Sequence, residues 1–139
     1  MIGRIHSKET ALGIPGKLAT KGLEDVAEIG NTIHMIQELD SILARNKALS
    51  KFIITAPPVT GTATQNFTFN TTYPCMSFAS MIAPSPDWFM GLHDLCLFRG
   101  GEWINDITVD ILVYDAGTEE GDVFGYNNPA TSPQQNISY

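Results

Sequence analysis

Ala83-Pro84-Ser85-Pro86-Asp87-Trp88 places a carboxylate between two prolines and a large aromatic side chain, and the rest of the chain is organised around it. It follows an apolar run over residues 75–82 that has the length and compactness of a buried central strand. Proline fixes its own φ and pushes the preceding residue toward an extended conformation. The two prolines therefore hold Asp87 on a stiff loop, and the stretch predicts a sheet in which one strand ends in a fixed acidic turn.

A second acidic loop lies about thirty residues further on and reads Asp115-Ala116-Gly117-Thr118-Glu119-Glu120-Gly121-Asp122. Residues 107–114, which lead into it, alternate as a half-buried strand does. We predict that the two loops converge on one metal ion at the end of a β-sandwich, because calcium prefers oxygen ligands such as carboxylates. The alternative is that Asp87 and Asp115 cap turns through the local backbone. The residues themselves favour neither.

The charge of the chain is unevenly distributed. Residues 1–51 carry seven basic and six acidic side chains, whereas residues 52–139 carry one basic residue, Arg99, and nine acidic ones. An acidic half of this kind argues against a nucleic-acid partner, since binding to nucleic acid needs basic side chains. The negative charge is compatible with a cation-binding site, but the charge that a protein needs to stay soluble explains it equally well.

Length and hydropathy indicate one folded domain. The 139 residues are 43% hydrophobic and 17% charged, which is enough for a core. No apolar run reaches the length of about eighteen residues that a membrane span needs, so we expect no transmembrane segment. Residues 1–6 lack the apolar centre of a secretory signal.

Two helices are expected after an irregular stretch over residues 1–19. Thr20 can cap a helix over residues 22–29, which Gly30 would end. A second helix is predicted over residues 33–47. Its apolar residues recur at three- and four-residue spacing and predict a core-facing stripe of Ile33, Ile36, Leu39 and Leu43.

Short strands follow once the apolar period changes to two. Residues 52–56 and 62–70 are predicted to pair as a hairpin, with the phenylalanines of residues 62–70 facing inward. Further strands are predicted at residues 88–92 and 95–98, and residues 126–139 read as a polar loop or tail. The order of elements indicates a mainly β protein, an antiparallel β-sandwich with two peripheral helices near the N-terminus.

Cys75 and Cys96 are too few for a disulfide scaffold, and they are either one bridge or two buried thiols. Three Asn-x-Ser/Thr sequons, at Asn66, Asn70 and Asn136, hint at a secreted protein, although such short patterns also arise by chance. The three histidines are isolated from one another, so no zinc-type spacing occurs.

Residues 81–91, which read Met-Ile-Ala-Pro-Ser-Pro-Asp-Trp-Phe-Met-Gly, resemble the signature of the spondin domain found in F-spondin and its secreted relatives. Asp115-Ala116-Gly117-Thr118 followed by an acid resembles the second signature of that family. Residues 2–7 and 22–30 are similar to it as well. The resemblance runs in order over roughly residues 1–125, and the two signatures together are specific.

The resemblance implies an antiparallel β-sandwich similar to the calcium-dependent membrane-binding sandwich domains, occupying residues 1–125. It also implies a secreted, extracellular, non-enzymatic module for cell adhesion or matrix interaction that binds a calcium ion. The metal carboxylates of the family fall on Asp87, Asp115 and Glu119.

The sequence departs from the family pattern in two respects. Glu119 stands where the family has aspartate, so its carboxylate is one methylene further from the backbone, and Glu120 competes with it as a ligand. The family domain also begins with a strand before residue 1 and ends with one after residue 139. We therefore expect this sandwich to lack its first and last strands, which would leave edges exposed.

Three functions are compatible with these features. The first is a calcium-binding adhesion or matrix module, and the second is a calcium-dependent membrane-surface or glycan-binding domain in which Trp88 and Phe89 engage the surface. The third is an enzyme that uses Asp87 and Asp115 as paired acids. We expect no enzyme, because the sequence places no nucleophile or base beside these acids and has no Gly-x-Ser-x-Gly motif.

Overall fold

The structure, a computed structural model, describes residues 1–9, 11–55 and 61–139. The strands in these residues are β1 (Ile2–His6), β2 (Ala48–Ile53), β3 (Cys75–Met81), β4 (Trp88–Cys96), β5 (Phe98–Arg99), β6 (Glu102–Trp103) and β7 (Leu112–Asp115), and the helices are α1 (Lys21–Ile29) and α2 (Ile33–Ala44). Five strands form an antiparallel sheet in the order β2-β1-β3-β4-β7, and β5 pairs with β6. The predicted mainly β, sandwich-like fold with two helices near the N-terminus is confirmed.

Strand β1 lies between β2 and β3, where the sequence predicts an irregular stretch, so that prediction is wrong at residues 2–6. All five residues of β1 are buried, and a strand buried on both faces does not alternate between apolar and polar side chains. Gly3 allows the strands on both sides of β1 to approach closely. A Cβ at this position would lie 2.3 Å from the carbonyl oxygen of Ser77 and 2.6 Å from the ring of Phe52.

Helix α1 begins and ends where the sequence indicates. The Thr20 hydroxyl accepts a hydrogen bond from the Leu23 N–H at 3.3 Å, and Gly30 ends the helix with a φ of 68°. Helix α1 places Leu23, Val26 and Ala27 in the core. Local capping residues therefore fix both ends of this helix.

Helix α2 ends at Ala44 rather than at residue 47, and its buried face is displaced from the predicted stripe. Met35 and Leu39 are fully buried, whereas Ile33 is 60% exposed. The crossing with α1 explains the difference, because a Cβ on Gly22 would lie 2.6 Å from the Cα of Met35. The close contact at Gly22 turns the Met35 side of α2 toward the core.

The predicted hairpin of residues 52–56 with residues 62–70 does not form. Strand β2 begins earlier, at Ala48, and pairs with β1; residue 56 lies outside the described residues. Residues 62–70 form no strand, although Phe67 does face inward, with its ring 4.7 Å from that of Phe52. The two strands predicted at residues 88–92 and 95–98 are mainly the single long strand β4.

Strand β7 is shorter than the alternation over residues 107–114 predicts. Only Leu112–Asp115 pair with β4, and the preceding Ile107, Val109 and Ile111 remain between 37% and 41% exposed. The residues of β4 that receive β7 run from Trp88 to Gly91. An alternating pattern is compatible with a strand, but a strand also needs a partner edge along its length.

Residues 126–139 contain isolated bridges to other parts of the chain, joining Asn136 to Leu18, Ser138 to Asp115 and Ala130 to Glu119. Ile137 of this segment is 3% exposed and belongs to the core. The division of the chain at residue 125 stays a prediction.

The core lies between the main sheet and the two helices. Ile2, Ala79, Phe89 and Tyr114 of the sheet pack with apolar side chains of α1 and α2, and the rings of Phe89 and Tyr114 stack at 5.3 Å. Cys75 and Cys96 form a disulfide across β3 and β4, which answers the question that their spacing leaves open. Neither helix has the length and apolar character needed to cross a membrane, as far as the described residues go.

Candidate metal centre

The loop between β3 and β4 holds Asp87 at the end of the sheet. Ser85 lies in this loop. Its hydroxyl donates a hydrogen bond to the carbonyl of Ile82 and accepts one from the Trp88 N–H at 3.3 Å. The Ile82 N–H also donates to the Trp88 carbonyl at 3.0 Å. Ser85, Pro86 and Asp87 are buried, and these hydrogen bonds join the two ends of the loop. The stiffness that follows from the two prolines stays a prediction.

The Asp87 carboxylate joins this loop to the loop that follows β7. Its Oδ2 accepts hydrogen bonds from the Thr118 N–H at 2.6 Å, the Glu119 N–H at 3.1 Å and the Thr118 hydroxyl at 3.2 Å. Its Oδ1 is buried and has no hydrogen-bond partner among the described residues. The side chain is 0% exposed, so Oδ1 is shielded from bulk solvent and has no donor among the described residues.

Asp115 is the last residue of β7 and is paired with Trp88 on the neighbouring strand β4. Its Oδ1 accepts a hydrogen bond from the Gly117 N–H at 2.7 Å. Burial raises the pKa of the Asp115 carboxyl, the Gly117 N–H lowers it and the negative charge of Asp87 raises it again. Asp115 therefore caps a turn, as one of the two sequence interpretations expects, while remaining electrostatically coupled to Asp87.

Glu119 and Glu120 differ in their surroundings. Glu119 is half-buried, and burial raises the pKa of its carboxyl, with further increases from Glu28 and Asp87 and a decrease from a hydrogen bond with Asn128. Glu120 is exposed. Of the two candidates for the third acidic position, Glu119 is therefore the one that faces the other acids.

Glu28, in the last turn of α1, is a fourth acid at this place. Burial raises the pKa of its carboxyl, a hydrogen bond with Thr118 lowers it, and the charge of Asp87 contributes a smaller increase. Sequence reasoning did not assign Glu28 to the site, because only the packing of α1 against the sheet places it there. The available signal was its position within residues 22–30, one of the stretches that resemble the family.

The four acids gather at one end of the sheet without forming a closed set of ligands. In the described part of the chain, the oxygens of Asp87, Asp115 and Glu119 do not all lie within 4.8 Å of one another. The one group of three potential metal-binding residues that does meet this distance is Cys75, Asp94 and Cys96, and its two sulfurs are bonded in the disulfide. The disulfide leaves no thiolate there for a metal.

The side chains of these acids nevertheless offer the type of ligand atom that calcium binds. Calcium binds six to eight oxygens and accepts carboxylates, carbonyls and water. A local turn cap accounts for Asp115 Oδ1, and donors of the second loop account for Asp87 Oδ2. Asp87 Oδ1 stays buried without a partner among the described residues. A buried charged oxygen without a partner is costly, and a cation removes that cost.

An open cleft of about 360 Å³ lies beside the acids, lined among others by Trp88, Tyr114 and Asp115. Trp88 is half-buried, and its ring meets that of Phe124 edge to face at 5.2 Å. Phe124 itself is 68% exposed. The rings of Trp88 and Phe124 therefore lie next to the acidic side chains at this end of the sheet.

Gly117→Ala should destabilise the protein by at least about 2 kcal/mol, more than Gly16→Ala does. Gly117 has a φ of 74°, and an added Cβ would lie 2.4 Å from the carbonyl oxygen of Gln135. Gly16 is a matched control, because its φ is 79° and a Cβ there meets nothing within 4 Å. Backbone strain alone costs about 1–2 kcal/mol. Urea unfolding of the two variants measures the difference, and equal losses would contradict the contact with Gln135.

The fold and the site together define an antiparallel β-sandwich-like domain with acidic loops gathered at one end of its main sheet. The chain belongs to the Spondin_N family, whose sequence profile matches residues 1–139. The resemblance in the two signatures is thereby confirmed.

Named relatives match almost the whole chain. It is 35% identical to Spondin-1 of Mus musculus over 144 residues, covering 99% of this chain and 18% of that protein. It is 30% identical to Spondin-2 of Rattus norvegicus over 141 residues and 32% identical to Spondin-2 of Homo sapiens over 143 residues, in each case covering 99% of this chain and 42% of the relative. The chain thus spans less than half of these relatives. Spondin-1 and Spondin-2 are secreted extracellular matrix proteins, and the predicted extracellular location is confirmed.

Proposed function

We propose that this domain is a non-enzymatic, calcium-binding module for cell adhesion or extracellular-matrix interaction. The observation that carries the calcium proposal is Asp87 Oδ1, an oxygen of a fully buried carboxylate without a partner in the described residues. Leaving a buried polar group unpaired costs about 1–3 kcal/mol, and more when the group is charged. An ion bound at this oxygen would offset that cost.

The surrounding side chains support an oxygen-ligated cation. Asp115, Glu119 and Glu28 are partly buried. Burial raises the pKa of each of their carboxyls, and the charge of Asp87 adds a smaller increase. Lys21 pairs with Glu24 at 2.5 Å and with Asp25 at 2.9 Å, and its charge lowers the pKa of Glu28 less than burial raises it. A calcium ion held by Asp87, Asp115 and Glu119 would balance this negative charge and connect the two loops.

The role in adhesion or matrix interaction rests on the spondin relatives and not on the acids. The family of extracellular matrix proteins to which the chain belongs supports an interaction module. Because the chain covers only 18% of Spondin-1 and 42% of Spondin-2, its partner is inferred at the level of class: an extracellular protein or matrix surface.

We expect calcium to bind with one ion per chain, and Glu28→Gln to weaken binding about tenfold or more, which corresponds to about 1.4 kcal/mol. The variant removes one negative charge beside Asp87 without removing a predicted ligand. Isothermal titration of the metal-free protein with calcium measures the change. Glu102→Gln is the matched control, because Glu102 is exposed on β6.

Two results would contradict this proposal. A titration without heat or saturation at millimolar calcium would exclude a calcium site, and equal affinities of the Glu28 and Glu102 variants would place the ion away from α1.

Binding to a membrane surface is a second candidate function, favoured by the exposed side chains that follow the acidic loop. Val123, Phe124 and Tyr126 are between 66% and 68% exposed. Apolar and aromatic side chains beside a bound cation would suit the headgroups of an anionic bilayer. Sedimentation with phosphatidylserine vesicles in calcium and in chelator distinguishes the candidates, because calcium-dependent sedimentation would favour the membrane and its absence the protein or matrix partner.

A further inference from the structure

Two of the three sequons lie on one exposed segment of the chain. Asn66 and Asn70 belong to the connection between β2 and β3, in a part that forms neither helix nor strand. The third sequon, at Asn136, lies in the C-terminal segment that bridges to Leu18 and Asp115. The two locations differ in how the hydrogen bonds of the surrounding chain hold the sequon, and therefore in how an enzyme that modifies asparagine could bind it.

The segment around Asn66 presents both essential side chains of its sequon to solvent. Asn66, Thr68 and Asn70 are exposed, whereas the intervening Phe67 and Phe69 are half-buried. Phe67 fixes this orientation through its contact with Phe52, at a distance of 4.7 Å between the ring centroids. A group added at Asn66 would therefore extend into water without displacing a core side chain.

Asn70 holds its side chain in a turn that leaves the amide nitrogen available. Its Oδ1 accepts hydrogen bonds from the Thr72 N–H at 3.0 Å and the Tyr73 N–H at 2.9 Å. These bonds engage the oxygen only, and they bring Thr72, the hydroxyl residue of the sequon, close to the asparagine. Within the described residues, Nδ2 has no acceptor and is free to react.

The sequon at Asn136 is held by backbone hydrogen bonds on both sides. Ile137 is 3% exposed; its N–H donates to the Lys17 carbonyl, and its own carbonyl accepts from the Gly16 N–H, each at 2.8 Å. Ser138 exchanges two hydrogen bonds of 3.0 Å with Asp115. Asn136 and Ser138 are themselves exposed, as Asn66 and Thr68 are, but moving the backbone of this sequon into an enzyme would require these contacts to break.

We propose that Asn66 and Asn70 are N-glycosylated and that Asn136 is not. In the reaction, Nδ2 of the asparagine forms a bond to the anomeric carbon of an oligosaccharide carried on a lipid diphosphate. The bond between that carbon and the diphosphate oxygen breaks, the lipid diphosphate leaves, and Nδ2 loses one proton. The disulfide between Cys75 and Cys96 is consistent with the oxidising secretory compartment in which such a donor occurs.

The proposal is independent of calcium, and mass spectrometry of the chain secreted by cultured animal cells tests it. We expect two glycans on the intact protein, both removed by peptide N-glycosidase. Asn66→Gln and Asn70→Gln should each remove one glycan, and the double variant should remove both. Asn136→Gln should leave the mass of the glycans unchanged.

Variants of the hydroxyl residues separate glycosylation from a folding defect. Thr68→Ala and Thr72→Ala keep each asparagine but should abolish its glycan, whereas Thr68→Ser should retain it. A secreted protein without glycans, a single glycan on residues 66–72, or a glycan at Asn136 would overturn the proposal.

Discussion

Calcium at a hundred times its dissociation constant should stabilise this domain by about 2.7 kcal/mol relative to chelator, an increase in melting temperature of roughly 8 °C. The stabilisation would arise because the proposed ion binds the folded state, in which the loops of Asp87 and Asp115 meet. The unfolded chain does not hold these carboxylates together. Differential scanning calorimetry in calcium and in chelator measures the effect.

Asp87→Asn should remove this calcium-dependent stabilisation. The amide oxygen of asparagine can still accept the hydrogen bonds of Thr118 and Glu119. Its nitrogen takes the place of Oδ1, which has no partner in the part of the chain that the structure describes, and a nitrogen that carries two protons cannot ligate a cation. The folded state should therefore persist while the response to calcium is lost.

Asp110→Asn is the matched control, since Asp110 is an exposed acid in the same acidic half of the chain and its replacement changes the net charge equally. It should keep the full calcium response. If the unmutated protein melts at one temperature in calcium and in chelator, the calcium site is refuted; if Asp87→Asn still responds, the ion binds elsewhere.

Replacing both cysteines, as in Cys75→Ala with Cys96→Ala, should cost about 3 kcal/mol of stability. The bridge joins residues 21 apart in sequence, and in the chain-entropy model closing a loop of this size restricts the unfolded chain by about that amount. Urea unfolding under oxidising conditions measures the loss. The stability of the unmutated protein should fall to a similar value once the bridge is reduced.

The disulfide variant also tests whether the bridge is what restricts the β3–β4 hairpin in the unfolded chain. Cys75 and Cys96 pair at one end of the β3–β4 hairpin, and the loop bearing Asp87 lies at the other. A loss below about 0.5 kcal/mol would mean that the hairpin is already restricted in the unfolded chain, contrary to the prediction.

Local sequence signals predicted the parts of this protein that local chemistry determines. The capping residues Thr20 and Gly30 indicated both ends of α1, and the prolines around Ser85 indicated a turn after β3 that holds Asp87. The two signatures also identified the family, because their residue types and order are specific.

The features that the sequence did not predict depend on distant contacts. Strand β1 is recognisable only once β2 and β3 enclose it, and residues 107–111 alternate without a partner strand. Glu28 joins the acids through the packing of α1 onto the sheet, which its own helix does not reveal. The distance between Cys75 and Cys96 likewise follows from the pairing of β3 with β4.

The central position of β1 has a mechanical consequence for the domain. β1 is hydrogen-bonded to β2 on one side and to β3 on the other, antiparallel to both. Hydrogen bonds in such ladders run perpendicular to the strands, so a pull along β1 loads the bonds of two ladders in shear at once. A pull across an outer strand would instead open one ladder bond by bond. A force applied along β1 is therefore resisted by many hydrogen bonds at once, and the sheet withstands it better than a force that opens an outer strand.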